Sequence, residues 1–340
     1  MVSDASAVSV QARVVRVAVL GTGSAGLAHL GALRQLAGVE PIAVPRRPER
    51  VEELTATGVR ASRDLREAVA GGCTAAVIAT DTGRHLEDAL AALAQGLNVL
   101  VEKPMTANAP DAARLRAAAV QAGRRLFVGC TLRFSESLNA FRSRLKDIGR
   151  VHAVRVECQS YLPDWRPTRP YQESYAARPS EGGVLLDLIH EIDYTGWLFG
   201  WPDAVQARRR NLGRLGIAED EAVDLVWDTA EAGCVSMSLD YLTRPPRRVM
   251  RSCGEGGTLE WDGIARTATL HLVGKAPQRV GSSQTVAEMF AAQASAFLEA
   301  CRDGQDSRLA TAEDGVRALA VCEAARRASE RRREEPVVMP

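Results

Sequence analysis

Apolar positions along this chain follow two different periods, and the change between them comes early. From Val15 to Leu20 (VRVAVL) almost every residue is apolar, as in a strand covered on both faces. From Leu27 the apolar residues recur at Leu27, Leu30 and Leu33, the spacing of a helix. The switch occurs across Gly21-Thr22-Gly23-Ser24-Ala25-Gly26. The same alternation then repeats. Glu40–Val44, Gly58–Ala61, Ala75–Thr80, Asn98–Val101 and Arg125–Gly129 read as further strands. Arg50–Thr57, a segment from Asp64, His85 to Gln95, and Ala107–Ala122 with Asn108 as cap read as helices. Strands alternating with helices imply a parallel, doubly wound sheet. After a helix at Phe134–Leu145 the period drops to two. Arg150–Ser160 and runs at 204–210, 222–228, 234–241, 247–253, 257–261 and 267–273 predict an antiparallel sheet, closed by helices near 284–302 and 311–332. The expected division is a disordered leader (1–12), an α/β domain (13–132) and an α+β domain (133–340).

The glycines give the first switch a chemical meaning. Gly21 suits a tight turn, Gly23 lets a pyrophosphate approach the backbone, and Gly26 lets the helix pack close to the strand. Residues Gly21, Thr22, Gly23, Ser24, Ala25 and Gly26 are therefore expected to cradle a dinucleotide, with the helix N-terminus facing its phosphates. The second strand ends in Val44-Pro45-Arg46-Arg47-Pro48. A carboxylate at this place would bind a ribose 2′-hydroxyl; Arg46 and Arg47 instead suit a 2′-phosphate, so NADP(H) is expected over NAD(H). Thr80, Asp81 and Thr82 end the next strand on the ligand side, and His85 opens the following helix as a cap or cofactor-side contact. Glu102-Lys103-Pro104 ends another strand, placing Glu102 and Lys103 beside the cofactor.

Composition narrows the choice. The 340 residues carry a net charge of +1 and 46% hydrophobic residues. This gives no electrostatic case for nucleic acid or a membrane surface and no transmembrane run. Seven scattered cysteines without CxxC spacing suggest neither a disulfide framework nor a metal site, and a reducing cytoplasm is expected. Only Lys103, Lys146 and Lys275 among the 43 basic residues are lysine. Lysine, unlike arginine, can give up a proton when buried, which draws attention to Lys103.

Two later segments carry candidate chemistry. Tyr161–Ser180 is a long loop rich in proline and aromatic residues. Trp165, Tyr171 and Tyr175 suit sugar rings, and Arg166 and Arg169 suit hydroxyls or a phosphate; the alternative is a clamp between domains. Arg133 is a further candidate substrate contact. A helix from about Gly183 places Asp187, His190, Glu191 and Tyr194 on one stripe, with Asp193 off it and structural. His190 suits general acid–base work and substrate contact, and Asp187 would orient its ring.

These motifs together (GTGSAG at 21–26, EKP at 102–104, GGVLLDLIHEIDY at 182–194 and ATAEDGVRALAVCEAARRASE at 310–330) resemble the Gfo/Idh/MocA oxidoreductase family. The resemblance spans Val15 to about Val338. It implies a Rossmann domain, a second domain with a large open sheet, a nicotinamide cofactor, a sugar, cyclitol or sugar-nucleotide substrate, and a homodimer or homotetramer. The family more often has four residues from its Asp to its His. Here there are three, with Glu191 at the fourth, so either Asp187 or Glu191 is the acidic partner. The expected reaction interconverts an alcohol and a ketone. His190 exchanges the proton, Lys103 bonds the reacting oxygen, and Asp187 tunes both. The alternatives are an NAD-dependent enzyme of the same fold and a non-catalytic dinucleotide-sensing regulator.

Overall fold

The computed structural model describes residues 14–165, 170–178 and 181–340. The expected leader lies outside them, as do Arg166 and Arg169. The first sheet is built from β1 (Val15–Leu20), β2 (Val39–Val44), β3 (Cys73–Ile78), β4 (Asn98–Glu102) and β5 (Leu126–Gly129). They pair in parallel in the order β2-β1-β3-β4-β5. The connecting helices are α1 (Ser24–Arg34), α2 (Glu49–Ala56), α3 (Leu65–Ala70), α4 (His85–Ala94) and α5 (Ala109–Gln121). Helices on both faces leave Val17, Ala18 and Val19 fully buried, which is why β1 shows no alternation. The order reverses at β1, so the glycine loop that follows it opens into the crevice where such sheets bind ligands.

One expected strand is absent. Gly58–Ala61 forms only a single bridge, Ala61 to Ala43. Gly58, at φ +76°, turns the chain so that it meets β2 only in passing.

The second domain follows α6 (Glu136–Arg144). Its strands are β6 (Val151–Gln159), β7 (Ala204–Arg210), β8 (Ala222–Thr229), β9 (Gly233–Asp240), β10 (Arg247–Gly254), β11 (Gly257–Asp262), β12 (Thr267–Leu272) and β13 (Gln278–Gly281). Between β6 and β7 lie α7 (Val184–Asp187) and α8 (Ile189–Phe199). After β13 come α9 (Val286–Ala300), β14 (Ala310–Thr311), α10 (Ala312–Arg331) and β15 (Glu335–Pro336). Nine strands form one sheet in the order β13-β12-β11-β10-β6-β9-β8-β7-β15, and only the β6–β9 pair is parallel. Val154, Val156 and Cys158 of β6 and Val235, Met237 and Leu239 of β9 are buried, and their neighbours are less so. The alternation that predicted these strands is thus that of a sheet with one face against helices.

The last elements return to the first domain. β14 adds an antiparallel edge strand beside β5, making a six-stranded sheet. Phe290 of α9 packs edge-on against His29 of α1, with centroids 4.8 Å apart. Helix α9 and strand β14, both after the expected boundary at 132/133, thus pack on the first domain. Among the described residues, no helix is long and apolar enough to cross a membrane.

Candidate active site

The dinucleotide end of the site is defined by missing atoms. Gly21 has φ +91°, and a Cβ there would collide with the Ala79 carbonyl. A Cβ on Gly26 would collide with the Gly21 carbonyl, so both glycines are needed for strand and helix to meet. Gly23 differs: a Cβ would meet nothing within 4 Å. Its bareness leaves open space where a ligand can reach the backbone. Gly23 is also the N-cap of α1 and offers no side-chain cap, so the first-turn amides of Ser24, Ala25 and Gly26 have no capping side chain. These features fit a pyrophosphate. Arg46 and Arg47 are exposed just past β2 and make no ion pair with a described residue.

Other expected cofactor contacts are occupied by the protein itself. Thr80 gives its hydroxyl to Asp88 (2.8 Å), and Asp81 accepts from Arg178 (3.0 Å) on the long loop. Thr82 is buried. His85 is also buried, with both ring nitrogens against backbone carbonyls. Glu102 lies against α1, 2.7 Å from His29 Nε2, and accepts from the Lys103 amide at 3.2 Å. Burial opposes its charge. Contact with His29, helped by Lys103 and His85, outweighs that and holds the carboxyl below its ordinary range.

The reacting end is assembled from distant elements. Lys103 follows β4 and reaches across the domain junction. Its Nζ donates to the Asp187 carbonyl (2.7 Å) and to Asp187 Oδ1 (3.2 Å). Asp187 is buried, and its Oδ2 lies 3.0 Å from the hydroxyl of Tyr241, a fully buried residue just past β9. That hydroxyl is also 3.0 Å from the Gly183 carbonyl. Asp187 is thus held from both sides.

The expected single stripe from Asp187 to Tyr194 does not form. The helix breaks at Leu188. In an unbroken helix the Asp187 carbonyl would accept from the Glu191 amide. Lys103 takes that carbonyl instead, and the Glu191 amide bonds to Leu188 (3.1 Å). Past the break the faces diverge. Glu191 is completely buried and pairs with Arg248 of β10 at 2.8 Å. Tyr194 packs edge-on against Trp261, with centroids 5.4 Å apart. Both therefore face the large sheet, and Asp187, not Glu191, is the acidic partner of Lys103.

His190 is half-buried, and its Nδ1 is enclosed without a hydrogen-bond partner. The expected orienting bond from Asp187 to this nitrogen is therefore not made. Burial, the charge of Lys103 and that of Arg248 hold the imidazole well below its ordinary protonation range.

Three expected substrate contacts resolve differently. Trp165 is exposed and stands edge-on to Tyr241, 5.5 Å away, on the side of the Asp187 cluster. Tyr171 spends its hydroxyl on the Leu215 carbonyl (2.9 Å), a bond within the second domain. Arg133 is 1% exposed, with Nε and Nη2 on Asp193 (2.9 and 2.7 Å) and Nη1 3.3 Å from Asp314. It is a core ion pair and leaves the substrate set; Asp193 is structural, as expected. Arg166 and the Tyr175 side chain lie outside the described residues. Sequence reasoning missed Tyr241 and Arg248.

Residues 15–130 match the family described as "Oxidoreductase family, NAD-binding Rossmann fold", and residues 144–260 match "GFO/IDH/MocA C-terminal domain". The chain belongs to the Gfo/Idh/MocA oxidoreductase family. Within this family it is 33% identical over 195 residues to an inositol 2-dehydrogenase of Streptomyces avermitilis, covering 54% of this chain and 53% of that one. The match thus spans about half that relative's length. It is 31% identical over 134 residues to a scyllo-inositol 2-dehydrogenase (NADP(+)) of Bacillus subtilis, covering 38% and 36%. A levoglucosan dehydrogenase solved with NADH and levoglucosan superposes with a TM-score of 0.85 at 18% identity, covering 95% of this chain and 99% of that one. At that identity the likeness concerns the fold, and the Gfo/Idh/MocA architecture extends over nearly the whole chain.

Proposed function

We propose that this protein is an NADP(H)-dependent oxidoreductase that interconverts a hydroxyl and a ketone on a sugar, sugar nucleotide or cyclitol. The observation that carries the reading is Lys103, at the end of a strand of the glycine-loop sheet, reaching over the domain junction to Asp187, with its charge felt by His190. Names of relatives, an inositol dehydrogenase among them, support the substrate class.

When bound, a nicotinamide cofactor would supply the hydride donor or acceptor. The chain's own groups manage charge and protons. Lys103 donates to the reacting oxygen and stabilises negative charge there, and Asp187 and the Asp187 carbonyl set the position of its ammonium. His190, kept neutral at neutral pH, takes the hydroxyl proton during oxidation and returns it during reduction. Asp187 acts on Lys103 rather than on the imidazole. Trp165 offers an exposed aromatic face to a sugar ring or cyclitol. Arg46 and Arg47, unpaired at the end of β2, would bind a 2′-phosphate.

The test is an equilibrium titration with NADPH and NADH, repeated on Arg46→Ala/Arg47→Ala. Tighter NADPH binding, lost by at least tenfold in the double variant with NADH affinity kept, is the expected result. Tighter NADH binding by the natural chain would assign it to NAD, and binding of neither would remove the enzyme reading.

A further inference from the structure

His85 is a buried histidine with no part in the scheme above. It is the first residue of α4 and lies 2% exposed, behind the strand ends that carry Thr80 and Lys103. Its Nδ1 is 2.9 Å from the Pro104 carbonyl oxygen, and its Nε2 is 3.0 Å from the Thr80 carbonyl oxygen. Both neighbours are acceptors. A neutral imidazole has one N–H and one lone pair. A neutral ring would therefore set a lone pair against a carbonyl oxygen at one of the two contacts. Only a doubly protonated ring satisfies both.

A buried cation needs negative charge nearby. From β4, the buried Glu102 supplies a carboxylate whose charged form is favoured first by His29, 2.7 Å away, and more weakly by His85. On α4 itself, Asp88 accepts from Thr80 and Arg84. The other groups here that can carry positive charge are His29, on Glu102, and Lys103 and Arg84. The last two are directed elsewhere, Lys103 to Asp187 and Arg84 to Asp88.

We propose that His85 is a positioning residue for Lys103, donating from both ring nitrogens to tie the end of β3 to the peptide that follows the lysine. His85 would then fix the root of the lysine side chain while Asp187 fixes its tip. Lys103 bonds the reacting oxygen only if its ammonium is held at one place, and misplacing such a group by about 1 Å costs on the order of 100-fold in rate.

This inference rests on the reading of Lys103 as the group at the reacting oxygen, and its first test needs no turnover. Nitrogen–proton correlation spectra of the ligand-free full chain are recorded at pH 7. The His85 signals are assigned by their loss in His85→Gln. Protons on both His85 nitrogens are expected, and one bare, pyridine-type nitrogen overturns the proposal whether or not the protein is active. Second, His85→Gln leaves a single amide to serve two carbonyls. Its kcat should fall at least tenfold, with the NADPH dissociation constant within twofold of the natural chain. An unchanged kcat also overturns the proposal. If instead Lys103→Met is fully active, the function reading fails, and the spectra still report the state of His85.

Discussion

From Gly21 to Gly26, recognition rests on six consecutive residues and mainly on the side chains they lack. At Lys103 it rests on side chains brought from β4, α7, α8 and the end of β9, with the lysine and its partner aspartate 84 residues apart. The first end is local geometry that any correct strand–turn–helix unit carries. The second exists only when two domains have docked and helix α7–α8 has broken in register. A defect at the glycines should therefore appear as lost cofactor binding. A defect at the reacting end should appear as lost turnover with the cofactor still bound.

The largest expected effect tests that separation directly. Lys103→Met should lower kcat/KM by about 1000-fold or more, within the range of losses for removing a group at a developing oxyanion or a proton-transfer partner. NADPH affinity should change by less than about threefold. If both fall together, the two ends are not separate. Gly26→Ala is the converse. Its Cβ would strike the Gly21 carbonyl, so cofactor binding should weaken by about 100-fold or more, seen by calorimetry. Tyr241→Phe removes one bond to Asp187 without opening a cavity. A hydrogen bond to a charged group is worth about 1.5–3 kcal/mol, so kcat should fall roughly ten- to a hundredfold while KM holds.

His190 gives a pH signature. Its folded midpoint lies below the unfolded value of about 6.5, so as pH falls through that value the unfolded chain takes up the proton first. The native state should therefore lose stability on acidification, by at most about 1.4 kcal/mol per pH unit from this group. His190→Gln should remove that part of the slope in urea denaturation at pH 7.5 and 5.5. The smallest effect is expected at Trp165. Trp165→Ala should raise KM by about three- to tenfold with kcat nearly unchanged, since the loss of an aromatic face is worth about 1 kcal/mol. A fall in kcat would mean that Trp165 supports Tyr241 instead.

The same contrast explains what was legible in the sequence. The parallel strands, the glycine loop and most of the second sheet announce themselves by period and by turn chemistry within a short window. β14 does not, because two residues carry no pattern and only their partner β5 makes them a strand. The stripe from Asp187 to Tyr194 failed for a long-range reason: a lysine from the other domain took a carbonyl that the helix needed. Arg133 reads alike as a substrate contact or a core ion pair until Asp193 and Asp314 are placed around it. Tyr241 had a weak signal, since a tyrosine at the end of a buried strand must find a partner for its hydroxyl.

The returning edge strand also has a consequence in time. A chain leaves the ribosome from its N-terminus, and the first sheet receives β14 only after about 180 further residues have followed β5. Until then the unpaired edge of β5 and the face of α1 that meets α9 stay open. The dinucleotide crevice is encoded first, yet the domain that holds it is among the last parts of the molecule to close.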